Sequence, residues 1–318
     1  MRLEHRIRLC DFKDHLEKNN IINTEPKRIK MRKFIMLGMA LTVSVAMLLT
    51  SCKKDEVNNN GNNSGNTENP GGVSGDGNYN NQEYPSTANV IRRAVTDIDG
   101  NIYDAVQIGE QVWMAENLRT TKYADGTAIP LGTSTSTTTA YRYAPGSNQN
   151  NEENMVNVPR YGYLYNWPAV MHGANSSVSN PNSNGVQGIC PNGWHVPSDA
   201  EWTQLTNYMK TQPTYMASGN ADHLAKALAA TWGWNSSSET DAPGNNPSLN
   251  NATGFSVLPA GSYFDYGNND GFGTYASYWS ATGDLDNAYS LLLFYYYVDV
   301  VRSYDHEYRG LSVRCVRD

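Results

Sequence analysis

The sequence is poor in charge and poor in recognisable catalytic motifs. Asp, Glu, Lys and Arg together make up only 17% of the chain, and the acids outnumber the bases by 31 to 24. This balance argues against a nucleic-acid partner, which would need a concentrated basic surface. There is one long apolar run, so a multi-span membrane protein is excluded. No Gly-x-Ser-x-Gly, phosphate-binding loop or dinucleotide fingerprint occurs. His172, His195, His223 and His306 are scattered, and none has a metal-ligand partner at helical or hairpin spacing. Cysteine appears four times, at positions 10, 52, 190 and 315. What the chain has instead is aromatic side chains, with 21 Tyr and 7 Trp among 318 residues, in a polar Asn- and Gly-rich background. That combination suits a secreted or surface domain, and the length is ample for a buried core.

The apolar run lies near the start. Met31–Cys52 reads MRKFIMLGMALTVSVAMLLTSC, with Arg32 and Lys33 before 16 apolar or small residues and Leu49-Thr50-Ser51-Cys52 closing it. A secretory signal has this layout, and the run falls short of the roughly 20 residues of a spanning helix. It resembles a bacterial lipoprotein signal. The resemblance implies cleavage before Cys52, lipid attachment at that cysteine and anchoring in the membrane through acyl chains. An uncleaved signal anchor is the alternative. Residues 1–30 place this signal unusually deep, so Met31 is read as the true start and the preceding stretch as a start-site misassignment. Without residues 1–51 the chain has 14 basic and 26 acidic residues, a net charge of −12. Membrane contact is then expected from the lipid, since an acidic body is repelled by anionic headgroups.

Residues 52–89 comprise the lipidated cysteine and an Asn/Gly-rich stretch with almost nothing apolar to offset chain entropy, and they predict a disordered tether. Its opening, Lys53-Lys54-Asp55-Glu56, resembles the export signals of Bacteroidetes lipoproteins, which implies the outer face of the outer membrane. A linker on a periplasm-facing lipoprotein is the alternative.

A folded domain is predicted over 90–318. Asp99-Gly100 and Gly109-Glu110 separate β-branched and aromatic runs and predict a three-strand meander. Residues 120–160 read as a long surface loop anchored by Tyr141 and Tyr143, followed by an aromatic core segment at Tyr161–Val170. Ser198 and Glu201 have capping-box spacing, and Trp202, Leu205 and Met209 form the buried stripe of a helix over about 199–211. A second helix is expected over about 221–230 and a loop over 233–253. Strands are expected within Thr253–Ser262, Tyr275–Ser280, Ala288–Arg302 and Leu311–Arg317. The run Leu291–Val301 reads as one central strand, covered on both faces. Asp305-His306-Glu307 reads as a solvated turn, and His195 as a hydrogen-bonded core histidine.

Three segments carry a family resemblance: DIDGNIYDAVQIGEQVWMAENLR, GICPNGWHVPSDAEW and the ending GLSVRCVRD. They resemble the Fibrobacter succinogenes major paralogous domain, in order from about Val95 to Asp318. That family is similar to the C-type-lectin-like fold and to the formylglycine-generating sulfatase-modifying domain. The resemblance implies a fold class of α+β: a twisted antiparallel sheet with two helices, long loops and one disulfide. With Cys10 and Cys52 set aside, Cys190 and Cys315 remain, an even number in an oxidising compartment, joining helix start to terminal strand as a lectin-like fold does. Two free buried thiols are the alternative. The formylglycine-generating enzymes use a further reactive cysteine pair to hold copper; this chain has none left, so that oxidase chemistry does not transfer.

Sugar-binding candidates are few. The Glu-Pro-Asn, Gln-Pro-Asp and Trp-Asn-Asp motifs of calcium-dependent lectins do not occur. Asn268, Asn269 and Asp270 in a Gly-bounded turn are candidate calcium oxygens, while a metal-free turn, and no cofactor at all, is the plainer reading. Trp232 and Trp234 flank Gly233, and as an exposed pair they would stack on a sugar ring; packing beneath the long loop is the alternative. The sequence-level expectation is an outer-membrane, surface-exposed lipoprotein whose lectin-like domain binds an extracellular glycan or protein. An envelope assembly component is the alternative, and behind it a hydrolase, whose carboxylate pair need not be close in the chain.

Overall fold

The computed structural model describes residues 83–146, 151–174, 176, 185–264, 268–284 and 286–318. They belong to the second of the two units into which the chain divides, Glu68–Asp318. The apolar run, Cys52 and the tether up to residue 82 lie outside the described residues. Folded structure begins before residue 90: Tyr84 packs against a core cluster, with the Arg92 guanidinium 4.6 Å from its ring centre.

β1 (Asn89–Thr96), β2 (Ile102–Ile108) and β3 (Gln111–Met114) form the expected antiparallel meander. Its turns need glycine, since Gly100 and Gly109 have φ of +83° and +63°. β6 (Trp194–His195) and β12 (Val316–Arg317) extend it into a five-stranded sheet of order β1-β2-β3-β12-β6. The last strand is thus inserted in mid-sheet, with Val316 opposite both Trp113 and His195. Strand alternation sorts side chains onto two faces. Tyr103, Ala105, Val112 and Met114 enter one core with Cys190, Cys315 and Trp279; Val106, Ile108, Trp113 and Val316 enter the other with Trp202, Phe255 and Tyr278.

Between β3 and β6 run β4 (Arg142–Tyr143), three single-turn helices and β5 (Leu164–Tyr165), which pairs with β4. The helices are α1 (Asn151–Asn154), α2 (Val158–Tyr161) and α3 (Trp167–Met171). Residues 120–160 are therefore more than a surface loop. Tyr143 is fully buried and Tyr141 half-buried, and Tyr123 and Ile129 are buried as well.

α4 (Asp199–Met209) begins with the capping box foreseen from Ser198 and Glu201. Ser198 Oγ accepts from the Glu201 N–H at 3.3 Å, and Glu201 Oε2 accepts from the Ser198 N–H at 2.7 Å. Trp202, Leu205 and Met209 are fully buried, and Trp202 stacks on Trp113 with ring centres 4.5 Å apart.

The second expected helix shrinks to one turn, α5 (Ala225–Leu228). The carbonyls of Lys226, Ala227 and Leu228 accept instead from the N–H groups of Asn251, Thr253 and Val257, so tertiary bonds take the acceptors a longer helix would use. Those bonds also hold 253–261 as a buried, largely irregular segment in place of the expected strand. Only Ser262 of that run enters β7 (Ser262–Phe264), which pairs with β8 (Asn268–Asp270).

A three-stranded sheet of order β11-β10-β9 contains β9 (Tyr275–Asp284), β10 (Asn287–Phe294) and β11 (Val301–His306). The run Leu291–Val301 is not one strand. β10 is central, but it stops at Phe294, where Tyr295 donates its N–H to Thr274 O and accepts from the Gly244 N–H. Asp305 and His306 end β11 rather than forming a solvated turn. Asp305 is buried and accepts from Ser290 Oγ at 2.5 Å and Arg309 Nη1 at 2.7 Å.

Cys190 and Cys315 are joined in a disulfide with Cα atoms 6.0 Å apart, closing a separation of 125 residues. The described architecture is a mixed α/β domain of mainly antiparallel sheets, short helices and one disulfide. No described helix is long and apolar enough to cross a membrane.

Candidate functional site

A buried network behind the sheets positions the most exposed tryptophan surface. Arg314 is fully buried; its Nε donates to Asn117 Oδ1 at 2.8 Å, and its guanidinium also donates to the carbonyls of Met114, Phe255 and Ser256. Tyr278 Oη donates to the same Asn117 oxygen at 2.9 Å. The other end of Asn117, Nδ2, donates to Tyr161 O at 2.8 Å, which fixes the C-terminus of α2. Gly162 follows at φ +74°, and a Cβ there would come within 2.6 Å of Leu118 O. Glycine alone fits this close approach, and on the helical turn before it Arg160 is left in solvent while Tyr161 is buried.

Against Tyr161 stands Trp232, its ring edge-on at 5.5 Å between centres and 39% of the residue exposed. Phe272 packs on Tyr161 from another side at 4.7 Å. The Arg160 guanidinium lies 5.8 Å from the Trp232 ring centre. The loops that carry Trp232 and Phe272 are tied to each other and to residues 257–259. Asn235 N–H donates to Gly273 O at 2.8 Å, Gly273 N–H to Pro259 O at 2.9 Å, and Ala230 N–H to Val257 O at 2.8 Å. A half-exposed indole beside a cation is thereby mounted on a hydrogen-bonded base, an arrangement suited to stacking on a flat ligand.

The two tryptophans do not act as a pair. Trp234 is 8% exposed and belongs to the core around Trp113 and Trp202. Residues i and i+2 share a face only in an extended chain, and Gly233 at φ +88° turns the backbone between them. Arg160, Tyr161 and Phe272 carry no local signal in sequence that would join them to Trp232, because tertiary packing brings α2 and the two loops together.

The calcium candidates lie on β8, with Asp270 exposed and its carboxylate 3.4 Å from Tyr275 Oη; the side chains of Asn268 and Asn269 lie outside the described residues. No group of three His, Cys, Asp or Glu able to hold a metal is found among the described residues. His195, as foreseen, is a buried hydrogen-bonded histidine. His172 stacks on Tyr123, and His223 bonds Asp241 at 2.7 Å, each in a separate place.

A cleft of about 210 Å³ opens beside Cys190, lined among others by Asp97, Lys122 and Asn192. Its acid is already engaged: Asp97 accepts from Tyr103 Oη at 2.6 Å and from Asn101 N and Nδ2 at 2.9 and 2.8 Å. Nearby Asp99 accepts from the Thr121 N–H at 2.5 Å and faces Lys122 Nζ at 3.4 Å. Burial works to raise the Asp99 carboxyl, but the hydrogen bonds from Thr121, Lys122 and Thr120 outweigh it and hold it below the usual range. The DIDGN segment is a set of structural pins in this fold.

A mixed domain whose final strand is threaded into mid-sheet and disulfide-bonded to the approach to its main helix is the class the geometry defines. The Fibrobacter succinogenes major domain family model matches residues 106–317, and the chain belongs to that family. No curated protein and no solved structure matches it.

Proposed function

We propose that this protein is a lipoprotein anchored through Cys52 in the outer membrane and displayed at the cell surface, where its C-type-lectin-like domain binds an extracellular glycan. The observation that carries the binding reading is Trp232, a large aromatic left 39% exposed against buried Tyr161 and half-buried Phe272. Leaving part of an indole in water forgoes a share of its burial free energy, a cost that a stacking function explains. The anchoring part rests on the Met31–Cys52 segment and the acidic character of the rest of the chain. A disulfide between Cys190 and Cys315 accords with an oxidising compartment.

The binding reading is tested by applying residues 84–318, wild type and Trp232→Ala, to a panel of host and bacterial polysaccharides. The wild type is expected to retain on at least one polysaccharide and the variant to lose that retention. The anchoring reading is tested with radiolabelled palmitate and protease treatment of intact cells. Label that vanishes with Cys52→Ser and digestion of the domain from outside are the expected results.

A further inference from the structure

The same site carries a charge that selects among glycans, an inference that rests on the glycan reading above. Arg160 is exposed and forms no ion pair or hydrogen bond among the described residues; its guanidinium lies beside the Trp232 ring and near the Tyr161 phenol. This is an unpaired cation on a chain whose portion after the signal run has a net charge of −12. At 5.8 Å from the ring centre the guanidinium is farther than the roughly 4 Å of a stacked contact, so it flanks the indole without covering it. Its backbone is fixed from behind, because Asn117 Nδ2 holds the carbonyl of Tyr161, the next residue.

We propose that the Trp232–Arg160 pair recognises an acidic polysaccharide built of uronic acids. A single uronic acid residue presents an apolar pyranose face and a carboxylate, and here the two complementary groups stand side by side. The indole receives the sugar face, and the planar guanidinium fork receives the carboxylate in a bidentate pair. A neutral sugar would use only the indole. The overall negative charge of the domain does not forbid this, since at physiological ionic strength charges more than about 8 Å away are largely screened and the nearest cation dominates.

The test uses the full chain solubilised in mild detergent, with polygalacturonate and the same polymer after chemical reduction of its carboxylates to alcohols. Retardation is measured in affinity gels. The wild type is expected to bind polygalacturonate at least tenfold more tightly than the reduced polymer, and binding is expected to weaken as salt is raised. Arg160→Gln should lose that preference while keeping its affinity for the reduced polymer, Arg160→Lys should keep part of it, and Trp232→Ala should lose both affinities. Equal affinity for the two polymers with no effect of Arg160→Gln overturns the acidic-sugar inference and leaves the stacking reading standing. Binding to neither polymer, nor to any member of a neutral and acidic panel, overturns both. Arg160 and Trp232 are exposed, and unchanged thermal unfolding of the variants confirms that loss of binding is local.

Discussion

His195 Nε2 and Glu201 Oε1 stand 2.7 Å apart in the interior, and the opposite ring nitrogen, Nδ1, is 2.7 Å from Asp318 Oδ1. One imidazole thus ties the first turn of α4 to the last residue of the chain. The carboxylate it meets on the helix side is also the acid of the capping box, so helix start, β6 and the end of β12 share one junction.

This junction makes stability depend on pH. Burial works to lower the His195 pKa, but the hydrogen bonds and charges of Glu201 and Asp318 outweigh it and raise it above the ordinary value. The stabilisation is therefore fully present below the unfolded-state value of about 6.5 and is lost as pH rises through the elevated folded value. Thermal unfolding followed from pH 6 to pH 9 should show a decline in Tm attributable to this group. His195→Gln should be less stable at pH 6 and should lack that component of the decline.

Removing the Arg314 guanidinium should be among the most damaging single changes. Arg314→Met leaves the carbonyls of Met114, Phe255 and Ser256 without their guanidinium donor in a closed interior, and Asn117 Oδ1 with only its bond from Tyr278. A loss of about 3–5 kcal/mol is expected in urea unfolding. Lysine should not rescue it, because one ammonium has three donors and cannot span four acceptors spread over two segments.

Breaking the Cys190–Cys315 bond as a double serine variant should cost about 4–5 kcal/mol on the chain-entropy model, given a separation of 125 residues. Differential scanning calorimetry with and without reductant checks this, and the variant should become insensitive to reductant.

The α4 cap and stripe should separate in magnitude. Ser198→Ala is expected to cost about 1 kcal/mol. Trp202→Ala, which empties the space beside Trp113 and Phe255, should cost about 3–5 kcal/mol in the same denaturant titration.

Features set by near neighbours were legible in the sequence. Ser198 and Glu201 are three residues apart and define their own geometry, and Gly100 and Gly109 mark turns that glycine alone makes cheaply. The cysteine pair was legible once the signal segment was set aside. What the sequence could not show was set by distant partners. The region after Ala221 has helical composition, but Asn251, Thr253 and Val257 capture its carbonyls and leave a single turn. The apolar run around Tyr295 is broken by bonds to Thr274 and Gly244. At the binding patch, Trp232 was visible as a candidate. Its separation from Trp234 depends on one glycine dihedral, and its neighbours Arg160 and Phe272 arrive from segments about 70 and 40 residues away.

Retention of residues 84–318 on a polysaccharide panel, with calcium and then with chelator, compared with Trp232→Ala, tests the central claim most directly. The account predicts at least one retained polysaccharide, no change on chelation, and loss of retention in the variant. Retention that survives Trp232→Ala, or that chelator abolishes, would contradict the assignment of binding to this aromatic patch.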